Sequence, residues 1–591
     1  MKALLREYLT TLGERGELDV LLPDLLAESG FRVLSRPQVG TTQKGVDVAA
    51  VGPYKGGEAM YLFSIKPGDL KRSEWEGGPQ TVAPSLRQFA TYRRNRIAPE
   101  HQHLPVVGCL VTGGQMHETL HDDWTSFAEG EERRESIAFI HWNGDLLAEM
   151  LLAGHLREEV MPREMRSMLQ KAVAMADIAD VSAHHFEELT HALISRNESG
   201  NVAERMTAIR QVTLAASIVH NWCRELGNLD AAWRATALAV LCAWALARQV
   251  LADKPRQRKK ILAAVAHATD LHRTVGEAYV TRLGRHADVL NALSFQVASN
   301  EYLDRNLALF DALGRVAMTG LWAFHHAAQA PMAEVAGGDV SDGDTTGGHA
   351  HSVEVVGLCV HTGLSMIEAN PVLWLPCHDG QATDVALFLM LCQYTGNGEH
   401  VRSWLCRMVE RLEFTVVRRQ RHPVTHTGYE ELAALRGGMS DEAFRLGTGS
   451  STLLPLLGAW LHLLGETAYF DRLAHLIETR LPHCALQLWV PSTDSEEKLY
   501  TDDPAHGLAV TDVGLGKGGE HLVTHIIAAC EFESSLYQLS AVIHQNWPIV
   551  LAACRRQGLP VPPHLWIPEG QHGDGLQDVG EQSDATSGQR D

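Results

Sequence analysis

Two short apolar runs, Gly45-Val46-Asp47-Val48-Ala49-Ala50-Val51 and Met60-Tyr61-Leu62-Phe63-Ser64-Ile65-Lys66, flank Gly52-Pro53-Tyr54-Lys55-Gly56-Gly57. Runs this short, partly β-branched or aromatic and separated by glycine and proline, predict two strands joined by a turn. Upstream, Leu18, Leu21, Leu22, Leu25 and Leu26 share one face at helical spacing. Pro23 is expected to kink or restart that helix and Gly30 to end it. Residues 31–34 read as a first strand. Beyond a polar segment over 67–84, the pattern predicts a helix over 85–95, strands over 104–111 and 136–142, and a helix over 144–152. This order, α-β-β-β-α-β-β-α, describes a small α/β domain over residues 1–155.

From about residue 161 the apolar period is helical throughout. A helical domain is expected over 156–335, with Trp222, Trp233, Trp244 and Trp322 as core candidates. Residues 336–352, rich in glycine and aspartate, read as a flexible linker, and 353–567 as a second helical domain. Residues 568–591 have the composition of a disordered tail. The helix pairs over 387–412 and 453–481 give the all-α region an irregular, solenoid-like character without a fixed repeat. The most apolar run, 235–250, is shorter than the roughly 20 residues a membrane span needs. It reads as a buried helix, and no membrane association is expected.

A length of 591 residues exceeds what one core organises, so several domains are expected. The net charge of −21 excludes a polyanion-coating surface over the whole molecule and leaves room only for a local basic patch. Ten cysteines without a CxxC pair read as reduced, mostly buried thiols of a cytoplasmic protein. The first residues carry charges and no long apolar core, so they do not read as a signal peptide.

The candidate chemistry lies in the first domain. Asp47 and Lys66 stand on adjacent strands, where either alone is an ordinary strand-end residue. Leu18-Asp19 precedes Gly30-Phe31-x-Val33 by one helix length, Gln88 and Tyr92 are spaced i, i+4, and Arg87, Arg93, Arg94 and Arg96 make the following helix basic. Together these residues resemble the PD-(D/E)xK, or restriction endonuclease-like, nuclease superfamily, whose shared core is α-β-β-β-α-β. The resemblance covers about the first 155 residues and none of the helical remainder.

It implies a Mg²⁺-dependent (or Mn²⁺-dependent) endonuclease cleaving DNA. Asp47 would bind metal, Lys66 would orient the attacking water, and Gln88 with Tyr92 would position the backbone. Arg87, Arg93, Arg94 and Arg96 would contact nucleic-acid phosphates. Carboxylates suit a hard cation, and an ammonium beside it stabilises charge developing on phosphate. The family has a second acid where this chain has Ser64, so Asp19 or Glu17 is expected to complete the metal site, with Glu58, Asp69 and Glu74 as further candidates. Proteins that append a large helical region to such a domain look like bacterial anti-phage defence effectors, which implies a protein partner docked on the helices; a homo-oligomer is compatible. The alternative is a catalytically inactive nuclease-fold scaffold or nucleic-acid-binding subunit. Elsewhere, His325-His326, Cys377-His378-Asp379 and His422-x3-His426 lack the paired spacing of a structural zinc site, and Gly514-Leu515-Gly516-Lys517 lacks that of a phosphate loop.

Overall fold

The structure is a computed structural model of the full chain. It describes residues 2–12, 14, 18–35, 45–75, 81–153, 163–252, 254–335, 344–418, 423–425, 428–435, 438–501, 504–511 and 513–567. The chain divides into two compact units, Met1–Leu271 and His272–Asp591.

The first unit contains a five-stranded mixed sheet and a set of helices. Helices α1 (Lys2–Thr11) and α2 (Asp19–Glu28) lead into β1 (Arg32–Ser35), β2 (Val48–Tyr54) and β3 (Gly57–Lys66). Three helices follow, α3 (Arg72–Trp75), α4 (Val82–Arg87) and α5 (Phe89–Arg96). Then come β4 (Val106–Thr112), α6 (His121–Glu135), β5 (Ile137–Trp142) and α7 (Gly144–Ala153). Strand order is β1-β2-β3-β4-β5. The first two pairings are antiparallel and the last two parallel.

Four local outcomes differ from the sequence reading. The hairpin turn is only two residues long. Lys55 and Gly56 both take positive φ, as a primed hairpin turn requires, so β2 and β3 extend to Tyr54 and Gly57. Helix α2 runs through Pro23, whose missing amide costs one hydrogen bond in a helix whose leucines are buried. The helix expected over 85–95 is two, broken at Gln88. Finally, the apolar pattern gives no helix where α6 stands. Its sequence is polar, burying little besides Phe127 and Glu131, yet parallel β4 and β5 need a crossover and α6 supplies it.

Side-chain alternation gives the sheet two covered faces. Met60, Leu62, Val106 and Leu110 pack with Leu86 and Phe89 of α4 and α5 and with Phe127 of α6. On the opposite face Phe31, Tyr61, Phe63 and Trp142 form an aromatic cluster with centroid separations of 5.1 to 6.5 Å. Helices Arg163–Ala174, Ala179–Arg196, Val202–Leu226 and Asp230–Ala247, with residues 255–271 of helix Pro255–Gly284, belong to the described helical part of this unit. Trp233 and Trp244 are buried in it, whereas Trp222 is exposed.

The second unit is built mainly of helices, with Tyr302–Val335, Asp344–Ala369 and Ala382–Tyr394 in contact with one another. Trp322 is buried there. Helix Asp344–Ala369 begins inside the segment read as a linker. Ser352, fully buried, meets His326 Nδ1 at 3.1 Å and Arg273 Nη2 at 3.2 Å, which anchors that end of the helix. Residues 336–343 and the tail over 568–591 lie outside the described residues. Three described helices are long and apolar enough to cross a membrane: Asp230–Arg248, Tyr302–Gln329 and Gly348–Ala369. Most of the first two is buried inside the protein, in keeping with the reading of 235–250 as a core helix. All ten cysteines are unpaired, and all but Cys406 and Cys484 are buried.

Candidate active site

Asp47 lies one residue before β2. Its amide donates to Phe63 O at 2.8 Å, and its Oδ2 accepts the Ile65 amide at 2.8 Å. With Val48 opposite Phe63, the antiparallel register sets Asp47 opposite Ser64. Alternation then puts Asp47, Ser64 and Lys66 on the same face of the sheet, the one covered by α4 to α6. The turn before Asp47 is held by close approach. Gly45 has φ +73°, and a Cβ there would lie 2.3 Å from Ser85 O.

Lys66 closes β3 beside Thr112, the last residue of β4. Its Nζ donates to Glu14 Oε2 at 3.1 Å. Asp19 is the first residue of α2, and its Oδ1 is buried without a hydrogen-bond partner. Burial pushes the Asp47 carboxyl up to about 6, with the charges of Glu14 and Asp19 adding to the rise and the Ile65 amide and Lys66 opposing it. The leading segment therefore delivers two carboxylates to the electrostatic surroundings of Asp47. Even so, among the described residues no three His, Cys, Asp or Glu side chains are gathered closely enough to hold a metal ion.

Of the acids considered as replacements for Ser64, Glu17 lies outside the described residues. Glu58 sits near the hairpin tip opposite Pro53, far along the strand from Ser64. Asp69 accepts the Gln115 amide, and Glu74 accepts the Lys71 amide. Glu14 was missed by the sequence reading, because Gly13-Glu14-Arg15-Gly16 carries no periodic or motif signal. A second polar pair also went unread. Thr112 Oγ1 lies 2.9 Å from His141 Nε2, one strand over from Lys66. Burial, with a contribution from His121, lowers His141 to about 4, so the ring is neutral at physiological pH.

Gln88 is the junction between α4 and α5, and its carbonyl still accepts the Tyr92 amide at 3.0 Å. Both side chains are half-buried, and Tyr92 packs against the core shared by the sheet and helices. The arginines go elsewhere. Arg93 donates to the carbonyls of Glu135 and Ser136 at the end of α6, Arg94 to Glu135 Oε2, and Arg87 stands 3.8 Å from Glu131 and over the Phe127 ring. Arg96 is exposed. Ser136 precedes the first residue of β5, whereas Lys66 and Thr112 are the last of β3 and β4. Arg93 and Arg94 are thus at the other end of the sheet, about 20 Å away at the usual rise per residue. They do not converge with Asp47 and Lys66 on one phosphate.

Compared with known protein families, curated proteins and solved structures, the chain matches none.

Proposed function

We propose that the amino-terminal α/β region is a Mg²⁺- or Mn²⁺-dependent nuclease core that hydrolyses DNA phosphodiester bonds. On the architectural analogy alone, we also propose that the helical remainder docks a partner and controls cutting, in the manner of an anti-phage defence effector. The observation that carries the first reading is the convergence of Asp47, Ser64 and Lys66 on one face at one end of the sheet, with Glu14 and Asp19 arriving from the leading segment.

The donor chemistry fits a hard divalent cation: Asp47, Asp19 and Glu14 offer only carboxylate oxygens, and Asp19 Oδ1 has no hydrogen-bond partner. Such an ion, when bound, polarises a phosphoryl oxygen and acidifies water. The chain's own part is positional. The Ile65 amide fixes one oxygen of Asp47. Lys66, once released by Glu14, offers three donors to an attacking water and to charge developing on phosphate.

A second reading, a non-catalytic nuclease-fold scaffold, has its own support. Ser64 brings no charge, and the Arg93–Arg94 pair is bound to α6 at the far end of the sheet. A plasmid-cleavage assay with Mg²⁺ or Mn²⁺ separates the two. Cutting by the wild type that is lost in Asp47→Ala and Lys66→Ala supports the nuclease. Cutting that survives both substitutions refutes this site, and no cutting with either metal favours the scaffold.

A further inference from the structure

The second unit contains a cavity of about 140 Å³ that the nuclease reading does not use. Leu303, Val424 and Leu432 give it an apolar interior, and Tyr302, Tyr429 and Glu301 also line it. A cavity of about 150 Å³ accommodates benzene. Size therefore limits the buried part of any ligand to a single six-membered ring or a short alkyl chain.

Charge narrows the class further. Among the described residues no Lys, Arg or His side chain lines the cavity, while Glu301 does. Asp304, one turn along, accepts the Tyr429 hydroxyl, and Glu301 and Asp304 both act electrostatically on that tyrosine. Arg305, two residues after Leu303, is turned to Ser299 O, Asn300 Oδ1 and the Phe295 ring. Tyr429 is exposed, so it marks the side open to solvent. Two tyrosine rings with adjacent carboxylates attract an ammonium through ring quadrupole and charge together.

We propose that this cavity binds a small amphipathic organic cation, its ring or alkyl body seated among Leu303, Val424 and Leu432 and its ammonium group held by Tyr302, Tyr429 and Glu301. The site is independent of the nuclease reading and stands or falls separately.

The test is isothermal titration of the full-length protein with benzylamine and with benzyl alcohol, which has the same shape without the charge. Wild type, Ala433→Trp and Glu301→Gln are compared. Ala433 lines the cavity from an exposed position, so a tryptophan there blocks it without demanding room in the core, and circular dichroism checks the fold. Expected are saturable benzylamine binding at one site, an affinity about fivefold above that of benzyl alcohol, loss of binding in Ala433→Trp, and a ratio near one in Glu301→Gln. Undiminished binding by folded Ala433→Trp, equal affinities for the two probes in the wild type, or no saturable benzylamine binding overturns the proposal.

Discussion

Replacing Asp47 by Asn should abolish cleavage and at the same time stabilise the strands around it at neutral pH. The amide keeps the size of the carboxyl and an oxygen for the Ile65 amide, but removes a charge that burial, Glu14 and Asp19 all disfavour. The sign follows from linkage. With the folded value raised from 3.8 to about 6, the native state holds its proton longer than the unfolded chain, so the wild type loses stability as pH rises from about 4 to about 6. A shift of that size corresponds to about 3 kcal/mol at pH 7.5 as an upper bound, and about half of it is expected after relaxation and water access. At pH 4.5 about two-thirds of the penalty has not yet developed. Urea-dependent hydrogen exchange of peptides covering residues 46–66, in the full-length protein with EDTA, reads the local free energy without assuming two-state unfolding of the whole chain. The expected result is a gain of about 1–2 kcal/mol for Asp47→Asn at pH 7.5 that shrinks at pH 4.5. Added Mg²⁺ should then protect the wild type and leave the variant unchanged, because only a state that binds the ion gains from it. A variant that is less stable at pH 7.5, or whose effect does not change with pH, refutes the carboxylate-crowding argument.

Other substitutions probe the scaffold. Gly45→Ala should destabilise the first unit by about 2 kcal/mol or more, seen as a lower urea midpoint, because it places a Cβ at positive φ and against Ser85 O. Asp379→Ala should cost the second unit about 2–4 kcal/mol in the same assay. Its carboxylate accepts from Ser451 Oγ, from Thr452 through both amide and hydroxyl, and from the Leu453 amide, capping helix Leu453–Leu463. Arg555→Leu should cost about 3–5 kcal/mol, because it strands the largely buried Asp384, at 3.0 Å from Arg555 Nε, together with Asp311. That loss should be larger at pH 8 than at pH 5: burial already pushes Asp384 up to about 6, and a protonated carboxyl tolerates the missing partner. An unchanged urea midpoint in either of the last two variants would contradict the hydrogen-bond geometry.

Local periodicity made much of the architecture legible. The apolar runs around Asp47 and Lys66, the leucine face over 18–26 and the long helical pattern after 161 are properties of neighbours along the chain, and the elements they imply are present. The same kind of signal failed for α6, where one thin apolar stripe among charges does not stand out, and local pattern could not show that Asp379 caps a helix more than 70 residues away. The candidate site divides in the same way. Alternation along β3 was enough to set Ser64 and Lys66 on one face. Only the folded chain decided that Glu14, 52 residues away, reaches Lys66. It also decided that Asp19 Oδ1 is buried without a partner, and that Arg93 and Arg94 end at the far side of the sheet. The physical reason is that backbone propensity and side-chain alternation act over a few residues, whereas which charges meet depends on how the parallel crossovers and the entry of the leading helix bring distant segments together.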